Sequence, residues 1–518
     1  MFGGDLPQQP DVRTPALYCG RNQRLKEKSV QLDVSVPGLD RQFIGGAWLA
    51  GGSNEMAPVV SPATEEVLAV VAKPTVADAD RAVAAARQAF DSGPWPRLPV
   101  ADRVAVCGRL CDALERRLDV LNRAWAFESG ATVAHGEMIN SGAGAAVWRG
   151  ALEAAATLVF EEERDGTLIV REPAGVVLGI LTFNGPVVLM GMKIIPALLA
   201  GCTVVVKHAP ESPLTSRLIA DAVREADFPE GAVSVLAADT PVTQHLVSHP
   251  GVDLVALTGG TAIGVDVVRR TAPRLARTLL ELGGKSPAII AEDVDLDAVM
   301  ATLCDGASGF MGQVCVSLSR ILAPRSRYGE VVDALAERYS ALKVGDPFDP
   351  DTDRGPLAVE RGRDRAERAV AAALQEGAKV VTGGSRPPHL ERGWYYEPTL
   401  LADVDNGMSV AREEVFGPVT CVIPYKGLDE AVAIANDTPY GLAASVYSAD
   451  EALALRTARA IRAGSVAINQ AGVSLTQPFG GFKQSGWGRE CGPEGILEFT
   501  GIKQIVRGGS YLEVPAPS

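Results

Sequence analysis

The chain has 518 residues, 47% of them hydrophobic and 22% charged, the composition of a globular protein large enough for a substantial core. Lys and Arg number 49 against 63 Asp and Glu, a net charge of −14 without a long basic run, which excludes a general nucleic-acid binder. Gly is in excess, 54 of 518, and aromatic residues are only 5%.

In chain order, residues 1–40 contain Pro and Gln with weak periodicity and predict a loosely held N-terminal arm. The start is polar, with no basic residues leading into an apolar stretch, so no signal peptide is expected. Ordered structure is expected from Phe43-Ile44-Gly45-Gly46. Helical spacing of apolar residues follows over Val76–Phe90 and Ala101–Phe127. Aliphatic runs at Val176–Leu181, Thr203–Val206, Val233–Leu236, Leu254–Thr258 and Leu279–Leu282 then alternate with helical windows, among them Leu214–Glu225 and Ile263–Thr271. Such alternation predicts a parallel sheet covered on both faces. It begins again after Ser286, with strands near Ile321, Val380, Val422, Val446 and Val466. Two α/β units in series are expected, with a seam near Gly283-Gly284. Leu168–Glu172 and Ile502–Val514 read as further strands, and no internal repeat is evident.

Gly185–Val206 imitates a membrane span, but Lys193 and Pro196 lie within it and Lys207 follows. A buried helix followed by a buried strand is the better reading, with no membrane association. The eight Cys are scattered without a CxxC pair, so reduced thiols in the cytoplasm are expected.

Gly259-Gly260-Thr261-Ala262-Ile263-Gly264 follows a strand and opens a helix, where an anion meets backbone N–H groups. Thr261 breaks the dinucleotide fingerprint, so alone the segment is equally a structural turn. Cys315 follows a Gly-containing loop. Alone it is a nucleophile or, more commonly for a cysteine, a small buried hydrophobe. Glu281 ends an apolar strand, where desolvation raises its pKa toward that of a general base; pairing with Lys285 is the structural alternative. Asp349, Asp351, Asp353 and Glu360 imitate a calcium loop, but Arg354 replaces its Gly and Pro350 and Pro356 stiffen it. His245 and His249 have metal spacing on a helix, but Pro250 ends it and no third ligand is apparent. A helix-end polar pair is expected, and no metal.

Together these segments resemble the NAD(P)-dependent aldehyde dehydrogenase superfamily from about Phe43 to the C-terminus. The likeness rests on motifs in the family's order: Thr182-Phe183-Asn184-Gly185-Pro186, Val204-Val205-Val206-Lys207, Thr258-Gly259-Gly260-Thr261, Glu281-Leu282-Gly283-Gly284-Lys285, Gly312-Gln313-Val314-Cys315, Glu414-Val415-Phe416-Gly417-Pro418, and Pro478–Gly486 followed by Gly488-Arg489-Glu490. The resemblance implies an aldehyde dehydrogenase-like α/β fold of two open α/β domains with a small β oligomerisation projection. The Rossmann-like cofactor domain would span 41–161 and 173–283, and the catalytic domain 284–483. Strands at 162–172 and 496–514 would build a homodimer or homotetramer.

The same resemblance implies that Cys315 attacks an aldehyde, Asn184 holds the oxyanion and Glu281 activates the hydrolytic water, with Lys193 and Glu490 relaying its proton. The cofactor would meet Thr182, Phe183, Asn184, Lys207, Pro210, Glu211, Gly259, Gly260, Gly264, Leu282, Gly283, Glu414 and Phe416. Pro210 stands where NAD-preferring members often carry Glu, and Glu211 comes one place late, so NAD is expected with NADP open. The substrate tunnel would be lined by Gly185, Val188, Leu189, Met192, Gly309, Val314, Val316 and Phe479. Gly185 and Gly309 replace residues that are often aromatic. No Arg is placed to hold a carboxylate, although the irregular stretch Ala471–Gln477 is unassigned. The expected substrate is a bulky, uncharged, apolar aldehyde, oxidised without CoA. A cofactor-independent Cys esterase and a non-catalytic protein on the same fold are the rival readings.

Overall fold

The computed structural model describes residues 32–507. Most of the expected arm, Cys19, and the part of the expected strand Ile502–Val514 beyond residue 507 lie outside the described residues.

An antiparallel pair, β1 (Arg41–Ile44) and β2 (Ala47–Ala50), opens the ordered chain, followed by the hairpin β3 (Met56–Val60) and β4 (Val67–Ala72). β5 (Glu161–Arg164) and β6 (Thr167–Pro173) come after five helical segments. Then β7 (Val176–Ile180), β8 (Thr203–His208), β9 (Val233–Ala237), β10 (Leu254–Thr258) and β11 (Arg277–Glu281) form a parallel set in the spatial order β11-β10-β7-β8-β9. β1 and β2 extend this sheet at one edge, antiparallel to β9. All five parallel strands lie where aliphatic runs predict them. Their side chains are buried against helices on both faces, which is why the runs are continuous rather than alternating.

The second sheet contains β12 (Pro287–Ile290), β13 (Arg320–Pro324), β14 (Lys379–Thr382), β15 (Thr399–Ala402), β16 (Val419–Tyr425), β17 (Ala443–Tyr447) and β18 (Ser465–Ile468), in the order β14-β15-β16-β13-β12-β17-β18. Only β14 is antiparallel. The chain crosses from one sheet to the other over Leu282–Ser286 and returns once, when β19 (Gly486–Trp487) pairs with the edge of β11. β20 (Thr500–Val506) joins β6 and β5 in a separate three-stranded sheet. Ile502, Ile505 and Val506 are exposed on it.

The apolar stretch after Gly185 is helical and wholly buried: Pro186–Leu189, a wider π-type turn over Met190–Ile194, and Ile195–Ala200, leading into β8. Its all-round apolar pattern reflects burial in a large core. Among the described residues no helix is long and apolar enough to cross a membrane. The periodic stretch 101–127 is two helices, Val100–Glu115 and Leu118–Ser129. The break falls at Arg116-Arg117, where both guanidinium groups reach Glu225 on the neighbouring helix. Both helices address the same core, so the apolar period runs through the break.

Candidate active site

Several strands of the first sheet end at one cleft, a cavity of about 630 Å³. Strand ends are where side chains and loop backbone from separate elements converge in such sheets. Of the residues the sequence marks, Thr182, Phe183, Asn184, Lys207, Pro210, Glu211, Gly259, Gly260, Leu282, Gly283, Cys315, Glu414 and Phe416 line it. Gly264 does not. It lies in helix Thr261–Thr271, where a Cβ would meet Leu282 Cδ1 at 2.6 Å, so it permits helix–loop packing. Thr240, Thr243, Gln244, Arg361 and Arg365 line the cleft as well. No glycine or carboxylate motif marks them: Thr240, Thr243 and Gln244 lie on the helix after β9, and Arg361 and Arg365 on helix Glu360–Gln375 from the second half of the chain.

Cys315 is half-buried at the inner end. Its loop is held from several sides. Phe310 and Met311 both adopt left-handed backbone, with φ of 46° and 55°, a costly conformation that the surrounding packing must enforce. Gly312 has φ of 66°, and a Cβ there would lie 2.2 Å from the Gly417 carbonyl oxygen, so this turn presses against the Glu414–Pro418 segment. Gln313 donates from Nε2 to Phe310 O at 3.2 Å and accepts from the Ala358 N–H at 3.1 Å. Burial pushes the Cys315 thiol up to about 12, with Glu281 and Glu414 adding to the shift.

Asn184 faces this loop. Its Nδ2 donates to Gln313 O at 2.9 Å, and its Oδ1 accepts from the Thr182 hydroxyl at 2.6 Å. Trp125 Nε1 donates to Phe183 O at 2.8 Å and anchors the same turn.

Glu281, at the end of β11, is buried. Among the described residues its carboxylate oxygens have no hydrogen-bond partner of good geometry. Burial raises its pKa well above the usual carboxylate range, and Glu490 raises it further, against Lys193 and Arg489. Lys193, from the π-type turn, pairs with Glu490, and both side chains are fully buried. Glu490 is fixed by reciprocal 2.7 Å backbone hydrogen bonds with Phe479. Toward the cleft, Glu414 accepts the Gly284 N–H at 3.0 Å. A Cβ on Gly283 would come within 2.3 Å of the same carboxylate, and one on Gly284 within 2.5 Å of Cys315 O. The two glycines thus let Glu414 and the nucleophile loop close on the crossing between the sheets. Burial lowers the Lys207 pKa to about 8, offset in part by Glu211 and Asp239.

Of the predicted tunnel residues, none lines this cleft; Val188, Leu189, Met192, Val316 and Phe479 belong to one large apolar cluster that also takes in Cys315, Val473 and Leu475. Val314 and Phe183 pack with Phe310 and Trp125. A Cβ on Gly309 would meet nothing within 4 Å, and one on Gly185 would only touch Leu189. Phe479 itself is almost fully buried.

The two decoys fare differently. In the Asp349 loop, Asp349 and Asp353 accept backbone N–H groups from Asp351 and Lys343, and among the described residues the loop forms no metal-sized cluster. At His245 and His249 the sequence reading is corrected. Helix Val76–Asp91 brings Asp80 to them as a third group, 2.6 Å from His245 Nε2 and 3.6 Å from His249 Nε2. Yet the Gly251 N–H donates to His249 Nδ1 at 3.0 Å, leaving the ring's proton on Nε2 toward Asp80. That is a hydrogen-bonded cluster rather than a ready metal site.

A thiol and an amide line the end of the cleft, and a buried carboxylate lies at the end of β11, close enough to add to the thiol's raised pKa. Comparison with known proteins specifies the family. The model of the Aldehyde dehydrogenase family matches residues 48–505. The chain is 43% identical to geranial dehydrogenase from Castellaniella defragrans over 89% of its own length and 98% of the relative's. It is 38% identical to 3-succinoylsemialdehyde-pyridine dehydrogenase from Pseudomonas sp., over 90% and 98%. A Mycobacterium tuberculosis aldehyde dehydrogenase complexed with NAD+ superposes with a TM-score of 0.90 at 42% identity, covering 92% of this chain and 100% of that one. A Pseudomonas syringae aldehyde dehydrogenase C mutant complexed with NAD+ and octanal gives 0.89 at 40% identity, over 92% and 98%. The chain belongs to the aldehyde dehydrogenase family.

Proposed function

We propose that this enzyme oxidises a bulky, uncharged, apolar aldehyde to its carboxylic acid with NAD, through a thioester on Cys315. The observation that supports this reading is that Asn184 and Cys315 line one cleft, with Asn184 Nδ2 on the Gln313 carbonyl beside Cys315, while the Glu281 carboxylate, buried at the end of β11, adds to the upward shift of the Cys315 thiol. The residues present fit a dinucleotide. Helix Thr261–Thr271 opens at Gly260, where a Cβ would meet nothing within 4 Å, so its N–H groups are accessible to a pyrophosphate. Lys207 and Glu414, which line the cleft, would meet the two riboses, and Thr182, Phe183, Leu282, Gly283 and Phe416 the nicotinamide half. When bound, NAD accepts the hydride.

The protein's share of the chemistry follows from its groups. The Cys315 thiolate adds to the carbonyl carbon, and the oxyanion formed is met by Asn184 Nδ2 and the Cys315 backbone N–H. Loss of hydride leaves a thioester. Glu281 then takes a proton from the water that attacks it, releasing the acid and the thiolate. Lys193 and Glu490, buried behind Glu281, carry that proton away. The apolar cluster shared by Cys315 with Val188, Met192, Val316, Val473 and Leu475, and the room for a Cβ at Gly185 and Gly309, support a bulky apolar substrate. In this reading residues 41–161 and 173–283 hold the cofactor and 284–483 carry the nucleophile. The exposed apolar face of β20 is where copies join into a homodimer or homotetramer.

The test is NAD(P)H formation across an aldehyde panel, with Cys315→Ala as control. Turnover only with medium and large apolar aldehydes, lost in the Ala variant, is the expected result. Best turnover with short or acidic aldehydes refutes the substrate class. Ester hydrolysis without cofactor as the main activity refutes the reaction.

A further inference from the structure

Helix Leu118–Ser129 touches two separate segments of the site through one residue. Trp125, fully buried, donates from Nε1 to Phe183 O at 2.8 Å, in the turn that carries Asn184. Its ring also packs on Phe310, with centroids 5.1 Å apart, in the loop that carries Cys315. The ring of His135, on the short helix Val133–Gly136, stacks on Phe310 at 5.4 Å with the planes 19° apart, and lies 5.8 Å from Trp125. Burial lowers the His135 pKa to about 4, with Arg354 adding to the shift, so this clamp is uncharged.

The helix is itself pinned. Three residues after Trp125, the buried Glu128 carboxylate accepts the Leu214 N–H at 2.7 Å and the Thr215 N–H at 2.9 Å, at the start of helix Pro213–Glu225. An anion in that position satisfies backbone donors that a helix leaves free at its first turn. Ser129 donates its hydroxyl to Trp125 O at 2.6 Å. The indole is therefore fixed on its own helix and set against two segments that are far from it in the chain.

The direct tie between those segments is the bond from Asn184 Nδ2 to Gln313 O. It is a resting contact: an oxyanion on the substrate, being charged, is the stronger acceptor and draws Nδ2 away from the carbonyl. The spacing of the turn and the loop decides the rate at that same moment. Neither contact of Trp125 uses a group that the reaction uses. Phe310 and Met311 also need an outside hold, because their left-handed backbone, with φ of 46° and 55°, is costly. We propose that Trp125 is a positioning residue, the brace that keeps Asn184 in register with Cys315 while the oxyanion forms. This rests on the reading that Asn184 holds the oxyanion, and it gives the indole no contact with substrate.

The test is a double-mutant cycle on the full chain: wild type, Trp125→Phe, Asn184→Ala and the two combined, read by single-turnover NADH formation from octanal at saturating NAD. Trp125→Phe keeps an aromatic ring beside Phe310 and removes the N–H. It is expected to lower the rate about tenfold, with steady-state KM for octanal and for NAD changed less than about twofold. In the Asn184→Ala background the same substitution lowers the rate less than about twofold, because a brace has no effect once the group it places is gone. Phe310→Leu, which removes the ring at the other end, gives the same pattern and carries the test if Trp125→Phe does not fold. A residue that only supports the fold lowers the rate equally in both backgrounds. Equal losses in both backgrounds, or an unchanged rate in Trp125→Phe, overturn the proposal. A wild type that forms no NADH from octanal overturns the proposed reaction, and Asn184→Ala at the wild-type rate overturns the oxyanion reading; either takes this proposal with it.

Discussion

Thr182 donates its hydroxyl to Oδ1 of Asn184 at 2.6 Å, and that bond decides which end of the amide faces the nucleophile loop. With Oδ1 occupied, Nδ2 is turned toward the loop, where it rests on the Gln313 carbonyl two residues before Cys315. The donor is thus oriented before any substrate arrives, which is what makes a preorganised hydrogen bond effective in a transition state.

Asn184→Ala should therefore lower single-turnover NADH formation about a hundred- to a thousandfold. Thr182→Val, which frees the amide to rotate while leaving it present, should cost about tenfold in the rate with little change in aldehyde KM. Equal losses in both variants would refute an orienting role for Thr182.

Glu281 is a carboxylate whose pKa is raised first by burial and then by Glu490. A raised pKa keeps the acid protonated where an ordinary carboxylate is ionised, so a base of this kind gains activity as pH rises through that value. Glu490→Gln removes a like charge and should move the acid limb of the deacylation rate to lower pH. Lys193→Met removes a favourable charge and should move it upward. Shifts in the opposite directions would contradict the coupling.

The free enzyme should also have a sluggish thiol. Burial is the first cause of the raised Cys315 pKa, about 12, so little thiolate exists near neutrality. Alkylation of Cys315 by iodoacetamide in the cofactor-free enzyme should keep rising beyond about pH 9. A plateau already at neutral pH would show the thiolate formed in the resting state.

Space at Gly309 offers a test of substrate size. Its backbone is not left-handed, and a side chain there meets open space. Gly309→Phe should fold normally, raise KM for bulky aldehydes about tenfold or more and affect small ones much less. A uniform effect across sizes would place Gly309 outside the tunnel.

How far these relationships are legible in the sequence depends on their range. The five parallel strands of the first sheet announce themselves because double-sided burial demands unbroken aliphatic runs. β12 and β15 escape notice, although β14 and β18, equally short, do not. The π-type turns at Glu137–Gly144 and Met190–Ile194 leave no mark, the second because a wholly buried helix is apolar on every face and its period carries no phase. Cys315, Glu281 and Asn184 stand out through their motifs. Their partners do not: Asp80 reaches His245 across 165 residues, and Arg361 reaches Glu211 across 150. Such pairs are set by how the elements pack, which local pattern does not encode. Likewise the apolar inward side of Ala471–Gln477, formed by Val473 and Leu475, emerges only once the loop is seen against the core.

The central claim is that oxidation passes through a thioester on Cys315 that Glu281 resolves. Intact-protein and peptide mass spectrometry of Glu281→Gln, mixed with NAD and an apolar aldehyde, tests it most directly. The account predicts a burst of NADH equal to the enzyme present and an acyl group retained on the Cys315 peptide. Normal steady-state turnover with no adduct on Cys315 would contradict it.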